Sequence, residues 1–470
     1  MRVIIPFVGP QIEGRSGIAN DQRCVNLYPK LEGPNAKTVI GLYRTPGLKY
    51  HVSAGTGPCR SNGAVFQDRA YFVSGKELVW IDYSGLTGSA GTLDTIQGRV
   101  SIARGWDHLL LTDGTNGYTY DGVTFAKITD PDFPQCDVVC WSGHYYLAVK
   151  KGTNQFYVSA LNDPTNWYAL GFASAEAQPD KAIAAWPFQG YIILFGDETI
   201  QLYRQTGNVD FPFDPVTGLV IEHGLHAIHS LAEVDDILFF LGKSRGGGPL
   251  AMMAQGQTPV PISTPDIEWR WNKFINTKDA TGYAYRHVGH IFYVITFPAA
   301  KETYVYDVTT QMWHERSSYG VGYHRAGGHV FFNSKHILGD TENEKFYTYD
   351  FDTYKDGGDP LVWIRRAPVI TDPPGNRRIF FDRLELDFSA GLGLTSGQGS
   401  DPQCMLRWSN DGWNWSAELW RGMGKIGEFR RRAVWNRLGS ARYRIFEVSG
   451  SDPMDVIMFG ATLEARIGES

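Results

Sequence analysis

Thr303-Tyr-Val-Tyr-Asp307 decides the fold. Its side chains alternate with period two, as those of a half-buried strand do. Just before it stands a denser apolar run, His290-Ile-Phe-Tyr-Val-Ile295, and a polar turn separates the two. Working outward, the same phrase recurs about seven times between Asn62 and Pro368: residues 69–73 with 78–82, 108–112 with 117–121, and 144–149 with 155–159. It continues with 191–195 and 199–203, 237–241 and 249–253, and 330–332 with 345–350. A hairpin returning every roughly 35–55 residues marks a propeller blade.

The expected fold is therefore all-β: a six- or seven-bladed β-propeller with a C-terminal β-sandwich-like domain. Three regions are expected: an N-terminal extended segment (1–61), the propeller (62–368), and a β-rich domain (369–470) that follows the break Asp372-Pro-Pro-Gly375. The lead segment is a candidate to lend the closing strand of the last blade. Several units end on an Asp, a short turn and an aromatic: Asp121 and Phe125, Asp163 and Trp167, Asp307 and Trp313. The Asp caps its own turn and the aromatic fills the wedge between sheets. The stretch from Asp266 to Phe274 reads as a short helix on a loop. The last hundred residues again read as strands, which a sandwich packed on the propeller accommodates.

Composition narrows the function. A net charge of −6 over 470 residues argues against a basic nucleic-acid binder and fits a surface along which DNA slides. Five cysteines form no even framework, so reduced, packed thiols are expected. The opening Met1-Arg-Val-Ile-Ile-Pro-Phe-Val-Gly-Pro10 is too short and too broken for a signal segment, and no apolar run reaches about 18 residues.

No constellation reads as catalytic, and no cofactor is implied. Ser409-Asn-Asp-Gly-Trp-Asn-Trp415 approaches the Asp-box of sialidase-like propellers, one residue short, and turn chemistry explains each of its residues. His226 and His229, like His287 and His290, are three apart, so on a strand they face opposite ways and hold no common metal. Cys136 and Cys140 lack a second pair for zinc. Arg245-Gly-Gly-Gly-Pro249 lacks the helix that would make it a phosphate cradle. Asp235-Asp236 reads as solvated turn acids. One basic concentration stands out, Glu428-Phe-Arg-Arg-Arg432 continuing to Arg437, Arg442 and Arg444. Arg430 and Arg432 are expected on one strand face; with Trp435 and Arg437 they form a candidate subunit or partner interface, against the bland reading of a charged strand edge.

The two ends carry a resemblance. Arg23-Cys-Val-Asn-Leu-Tyr-Pro29 and Gly41-Leu-Tyr-Arg-Thr-Pro-Gly-Leu48 resemble the opening of the packaged-DNA stabilisation proteins, the tail hubs or nozzles of short-tailed phages. Leu406-Arg-Trp-Ser-Asn-Asp-Gly412, Met423-Gly-Lys-Ile-Gly-Glu428 and the block from Arg444 to Pro453 look like that family's C-terminal part. The resemblance implies a structural virion protein, not an enzyme, assembled in the host cytoplasm and resident in the virion tail. It implies a cyclic homo-oligomer, a homohexamer, below the portal and its adaptor. Such a ring closes the DNA exit channel after packaging, anchors tailspikes or fibres, receives the needle or plug, and touches the passing duplex without sequence preference. The competing readings are a sialidase-like propeller glycosidase and a carbohydrate-binding tail-tip protein whose exposed Trp side chains stack sugars.

Overall fold

In a computed structural model, the structure describes residues 2–174, 180–208, 211–244, 246–372 and 376–468. Seven antiparallel sheets follow one another along the chain. Their innermost strands are Ala64–Phe66, Ser101–Arg104, Val139–Ser142, Ala182–Phe188, Ala232–Val234, Thr281–His287 and Ala326–Phe332. Each sheet touches the next, and the seventh touches the first, so the ring closes at seven blades. The seventh is completed by the lead segment, because Gly47–Ser53 pairs antiparallel with Lys345–Asp350. A strand from the start of the chain thereby locks the last blade and leaves no free end in the ring.

Aromatic side chains fill the seams. Tyr71 meets Tyr120, Phe156 meets Tyr203, Phe195 meets Phe240, Phe239 meets Tyr293, Tyr285 meets Tyr349, and Phe72 meets Phe346, with centroids 4.9–5.5 Å apart. In the seam between blades two and three, Tyr146 packs with Ala103 and Leu110. This use of rings accounts for an aromatic content of 14%. The expected Asp caps are present: Asp121, Asp163 and Asp307 each accept a backbone N–H from two residues on, at 2.7–2.9 Å. Asp235 and Asp236 stand in a tight turn with positive φ.

Further bonds stitch the blades at the end that carries their hairpin turns. Asn333 Nδ2 donates to the Tyr83 carbonyl (3.2 Å), Gln67 Nε2 to Asp121 (3.1 Å) and Tyr146 Oη to His108 (3.0 Å). Gln205 Nε2 donates to the Gly143 carbonyl (2.9 Å), Gln189 Nε2 to Asp236 (3.4 Å), and Arg286 pairs with Asp235 (2.9 Å).

The sandwich has two sheets. One holds Leu27–Leu31, Ile40–Arg44, Ile457–Ile467, Ile379–Phe388 and Ala433–Asn436, with Arg2–Ile5 and Ser440–Ala441 at its margins. The other holds Arg23–Val25, Trp363–Arg366, Ile445–Gly450, Gln403–Ser409 and Leu419–Gly422. Phe7, Leu27, Trp363, Leu384, Leu406, Trp435, Phe446 and Met458 lie in the core between them. The second sheet continues into blade six through one parallel bridge, Val25 to Glu315.

Two details differ from expectation. In six blades the quoted apolar run is the second strand, but in blade seven residues 330–332 belong to the first. The second there is Lys335–Asp340, whose run Lys-His-Ile-Leu-Gly-Asp breaks the apolar pattern. The expected helix spans Pro265–Trp271, capped by Thr264, and buries Ile267 and Trp271. Arg245 of the Gly-rich stretch and residues 373–375 of the Pro/Gly break lie outside the described residues.

Candidate functional site

The terminal motifs converge where lead segment, blade six and sandwich meet. Asn26 (φ 53°) donates its side-chain amide to the carbonyls of Ser317 (2.8 Å) and Val362 (2.7 Å), and its side-chain oxygen accepts from Ser317 N (3.1 Å). Asn tolerates this left-handed backbone and supplies the bonds that fasten it. Two residues on, Tyr28 packs edge-on against Phe292 and His290 of blade six. Gly47 receives no side chain because the carbonyls of Thr353 and Lys355 occupy the place of its Cβ. The Thr-Pro-Gly-Leu turn thus leads the chain from sandwich to closing strand.

Arginines clamp this junction. Arg365 is fully buried and donates to the carbonyls of Phe7 (2.7 Å) and Pro10 (3.0 Å) and to Gln22 Oε1 (2.8 Å). Arg44, also buried, donates to the carbonyls of Asp452 (2.6 Å), Met454 and Leu361. Burial lowers both guanidinium pKa values to about 10, yet the charge persists at neutral pH. Arg23 forks onto Glu315 of blade six at 3.1 and 2.6 Å, and that carboxylate raises its pKa. Arg366 and Arg407 both reach Glu447 and cover the Trp415 ring, each 4.8 Å from its centroid.

Beside these pairs opens a cleft of about 570 Å³, lined among others by Glu13, Asp21, Arg23, Trp269, Arg270 and Trp413. Burial, then the neighbouring Glu315 carboxylate, pushes the Glu13 carboxyl up to about 7, opposed by Arg270. Its Oε1 accepts from Gln11 (2.7 Å) and Tyr304 (3.3 Å). The arrangement binds parts of one chain together.

The candidate interface residues separate. Arg430 is exposed in a turn, not on a strand, and Arg432 lies just before Ala433–Asn436. The shared strand face expected for Arg430 and Arg432 is therefore absent. Arg432 pairs with Glu385. Arg437 is exposed, with φ 59°. Trp435 is fully buried and donates Nε1 to the Leu419 carbonyl (2.8 Å), so its ring belongs to the sandwich core and not to a surface. Arg444 is buried too and covers Phe381 and Trp408.

In the Asp-box-like turn, Asp411 accepts from the Asn414 side-chain amide (2.7 Å) and from the backbone N–H of Asn414 (2.7 Å) and Trp413 (2.8 Å), bonds that hold its carboxyl well below the usual range. Trp415 is the packed ring and Trp413 the exposed one. His226 bonds Thr277 (2.7 Å) and His290 bonds Asp307 (2.7 Å), while His287 stacks on Phe351. Among the described residues no group of three or more His, Cys, Asp or Glu is placed to hold a metal. All five cysteines are buried and unpaired.

The innermost strands of the propeller enclose a cleft of about 290 Å³ whose lining includes Asn62, Arg99, Ser101, Trp186 and His229 but no carboxylate and no tyrosine. Asn62 Nδ2 donates to the Gly282 carbonyl (3.1 Å) and Arg99 to Gly327 (2.9 Å), tying blades six and seven to the chain that enters blades one and two. Sequence reasoning missed the junction residues Glu13, Asp21, Glu315, Arg365 and Glu447. For Glu315, Arg365 and Glu447 the signal was charge inside strands that otherwise read as buried; Glu13 and Asp21 lie outside strands and carried none.

A family model described as "Bacteriophage P22 Gp10, beta-propeller" matches residues 19–354, and one described as "Bacteriophage P22 Gp10, beta-sandwich" matches residues 363–466. The chain is 23% identical over 370 residues to the "Tail hub protein gp10" of Salmonella phage P22, covering 73% of this chain and 75% of that protein. Among solved structures it is similar to the Neurospora crassa Pan2 WD40 domain (TM-score 0.42, 9% identity, 65% of this chain and 95% of that one). It is also similar to the N-terminal domain of Nup159 (TM-score 0.41, 9% identity, 68% and 97%). Both likenesses are too distant to bear on function.

Proposed function

The chain belongs to the bacteriophage P22 Gp10 family, and on that premise we propose that it is the structural tail hub of a short-tailed phage. In this reading it assembles in the host cytoplasm and resides in the virion tail. Copies form a ring, a homohexamer, below the portal and its adaptor, close the exit channel after packaging, and anchor spikes or fibres and the needle. It catalyses nothing and needs no cofactor. The observation that supports the reading best is the match of both units, propeller and sandwich, to one family.

Geometry supports a DNA path outside the individual propeller. A duplex whose major groove alone is about 12 Å wide does not fit an axial cleft of about 290 Å³ crossed by Asn62 and Arg99. The DNA path therefore lies between copies, and each propeller is a solid block in the wall. A chain with net charge −6 gives that wall little phosphate grip. The proposed division is 1–61, 62–368 and 369–470, amended at its borders: Arg2–Ile5, Arg23–Val25, Leu27–Leu31, Ile40–Arg44 and Trp363–Arg366 work with the sandwich, and Gly47–Ser53 with the propeller.

The test uses DNA-filled heads that lack this protein. Added wild-type protein is expected to hold the DNA inside, read as nuclease resistance. Unchanged DNA loss, with no protein bound to the portal–adaptor end, contradicts the reading.

A further inference from the structure

Two surfaces of unlike chemistry stand on the two units. The first is the tip of the sandwich. Residues 421–444 contain eight basic side chains against one acid, Glu428, in a chain that is acidic overall. Several are used internally: Arg444 is buried, Arg432 pairs with Glu385, and Arg421 donates to the Val434 carbonyl (2.8 Å). Arg430, Arg431 and Arg437 are exposed, and none forms an ion pair among the described residues. Beside them Phe429 is 74% and Ile426 55% exposed. Phe429 lies against Gly391, where a Cβ would strike its ring, so the tip has a fixed backing.

The second surface is the rim of hairpin turns on blades one and two. Trp106 (76% exposed), Val123 (89%) and Tyr83 (55%) project from it. Asp68, Asp107 and Asp121 stand in the same turns, and the Gln67–Asp121 bond holds the two blades in register. The basic residues of this sector are Arg69, which covers the Trp80 ring, and Arg104.

We propose that the sandwich tip of one copy docks on the blade-one and blade-two rim of the next. The proposal rests on the ring reading and names its contact. Rim against rim would oppose aspartates, and tip against tip would oppose arginines; tip against rim pairs both charge and apolar side chains. The two patches differ, so the contact is heterologous and propagates head to tail, as a closed ring requires. Arg and aromatic side chains are what interface centres are rich in. A duplex would satisfy the arginines but offers no apolar face to Phe429 and Ile426.

The test is reciprocal charge reversal in the full chain, with oligomer mass measured by light scattering at low and high salt. All the substituted residues are exposed, so circular dichroism should match wild type; Asp121 also caps its own turn, and Asp121→Asn is the control for the loss of that cap in the melting curve. Arg430→Glu with Arg431→Glu should shift the oligomer to single chains, as should Asp107→Arg with Asp121→Arg. The chain carrying all four should recover the oligomer, because each tip again meets a complementary rim. A wild-type oligomer that both double variants retain overturns this contact while leaving the ring reading intact. Failure of the four-fold chain to recover also overturns it. A wild type that stays single even with portal and adaptor present defeats the ring reading itself. Binding of a short blunt duplex that the tip variant loses, with the oligomer unchanged, assigns the tip to DNA instead.

Discussion

The propeller and the junction differ in the ionisable groups they bury. Inside the propeller the buried histidines and tyrosines are kept neutral, with Arg60 and Arg316 as buried cations among them. Burial lowers His229, His314 and His329 to about 3 and His336 to about 4. Burial likewise raises Tyr283, Tyr285 and Tyr349; in the seam of blades six and seven Tyr283 and His324 both bond Tyr349, and Tyr285 packs against its ring. At the junction the arginines stay charged: Arg44 and Arg365 sit on carbonyls, Arg23 and Arg366 on carboxylates. Neutral packing suits seven similar seams, each closed by aromatic rings. A boundary between two different sheets has no repeating apolar face, and multidentate arginines join irregular backbone there. Acid is therefore expected to loosen the propeller, and mild acid to leave the junction intact.

The largest effect is expected at the junction. Arg365→Leu removes the donors to Phe7, Pro10 and Gln22, and buried acceptors left unmade should cost about 3–5 kcal/mol. Tyr146→Phe, which removes one inter-blade bond, should cost about 1 kcal/mol. Urea unfolding of both variants measures the contrast. Equal losses would show that the two regions are held alike.

Acid lability comes next. These histidines have folded pKa values below their unfolded one, so their stability contribution is complete above about pH 6.5. It is lost as pH falls toward 4, by about 1–3 kcal/mol for each of His314, His329 and His336. Lowering the pH from 7 to 4.5 should therefore lower the melting temperature markedly. Hydrogen exchange should rise first in strands Thr281–His287 and Lys335–Asp340, before it rises in Ile445–Gly450. Exchange that rises first in the sandwich would break the comparison.

Glu13 gives a smaller effect of opposite sense. Its folded pKa of about 7 lies above the ordinary glutamate value of 4.5, so the folded state favours the neutral acid, and the cost of ionisation grows from pH 4.5 to 7. Glu13→Gln should stabilise the chain by about 1–2 kcal/mol at pH 8 and by nothing measurable at pH 5. A gain equal at both pH values would dissociate it from ionisation. Smallest of all, Trp413→Ala should change stability by less than about 0.5 kcal/mol, because the ring is 83% exposed. Trp415→Ala, which removes the ring under Arg366 and Arg407, should cost about 1 kcal/mol.

The second and third strands of the blades were legible because burial writes itself as apolar runs and alternating aromatics. The outer strand Thr87–Thr92 was not: Thr-Gly-Ser-Ala-Gly-Thr carries no apolar period. Blade count was hidden by the closing strand, since Gly47–Ser53 and Lys345–Asp350 lie far apart in the chain. The lead motif could be recognised but not explained until Asn26 was seen to bridge blade six and the sandwich. Trp435 and Arg444 stood in a basic stretch that reads as surface, and tertiary packing placed both in the core. Charge patterning marked an exposed basic loop, and within the same stretch Trp435 and Arg444 are core residues.

The central claim is that copies of a solid propeller wall a channel that no single propeller encloses. Electron cryo-microscopy of the assembled tail tests it most directly. The account predicts a closed ring of this chain below the portal–adaptor complex, duplex density along the ring axis, and protein density along each propeller axis. Duplex density threading a propeller, or this chain placed away from the channel, would contradict it.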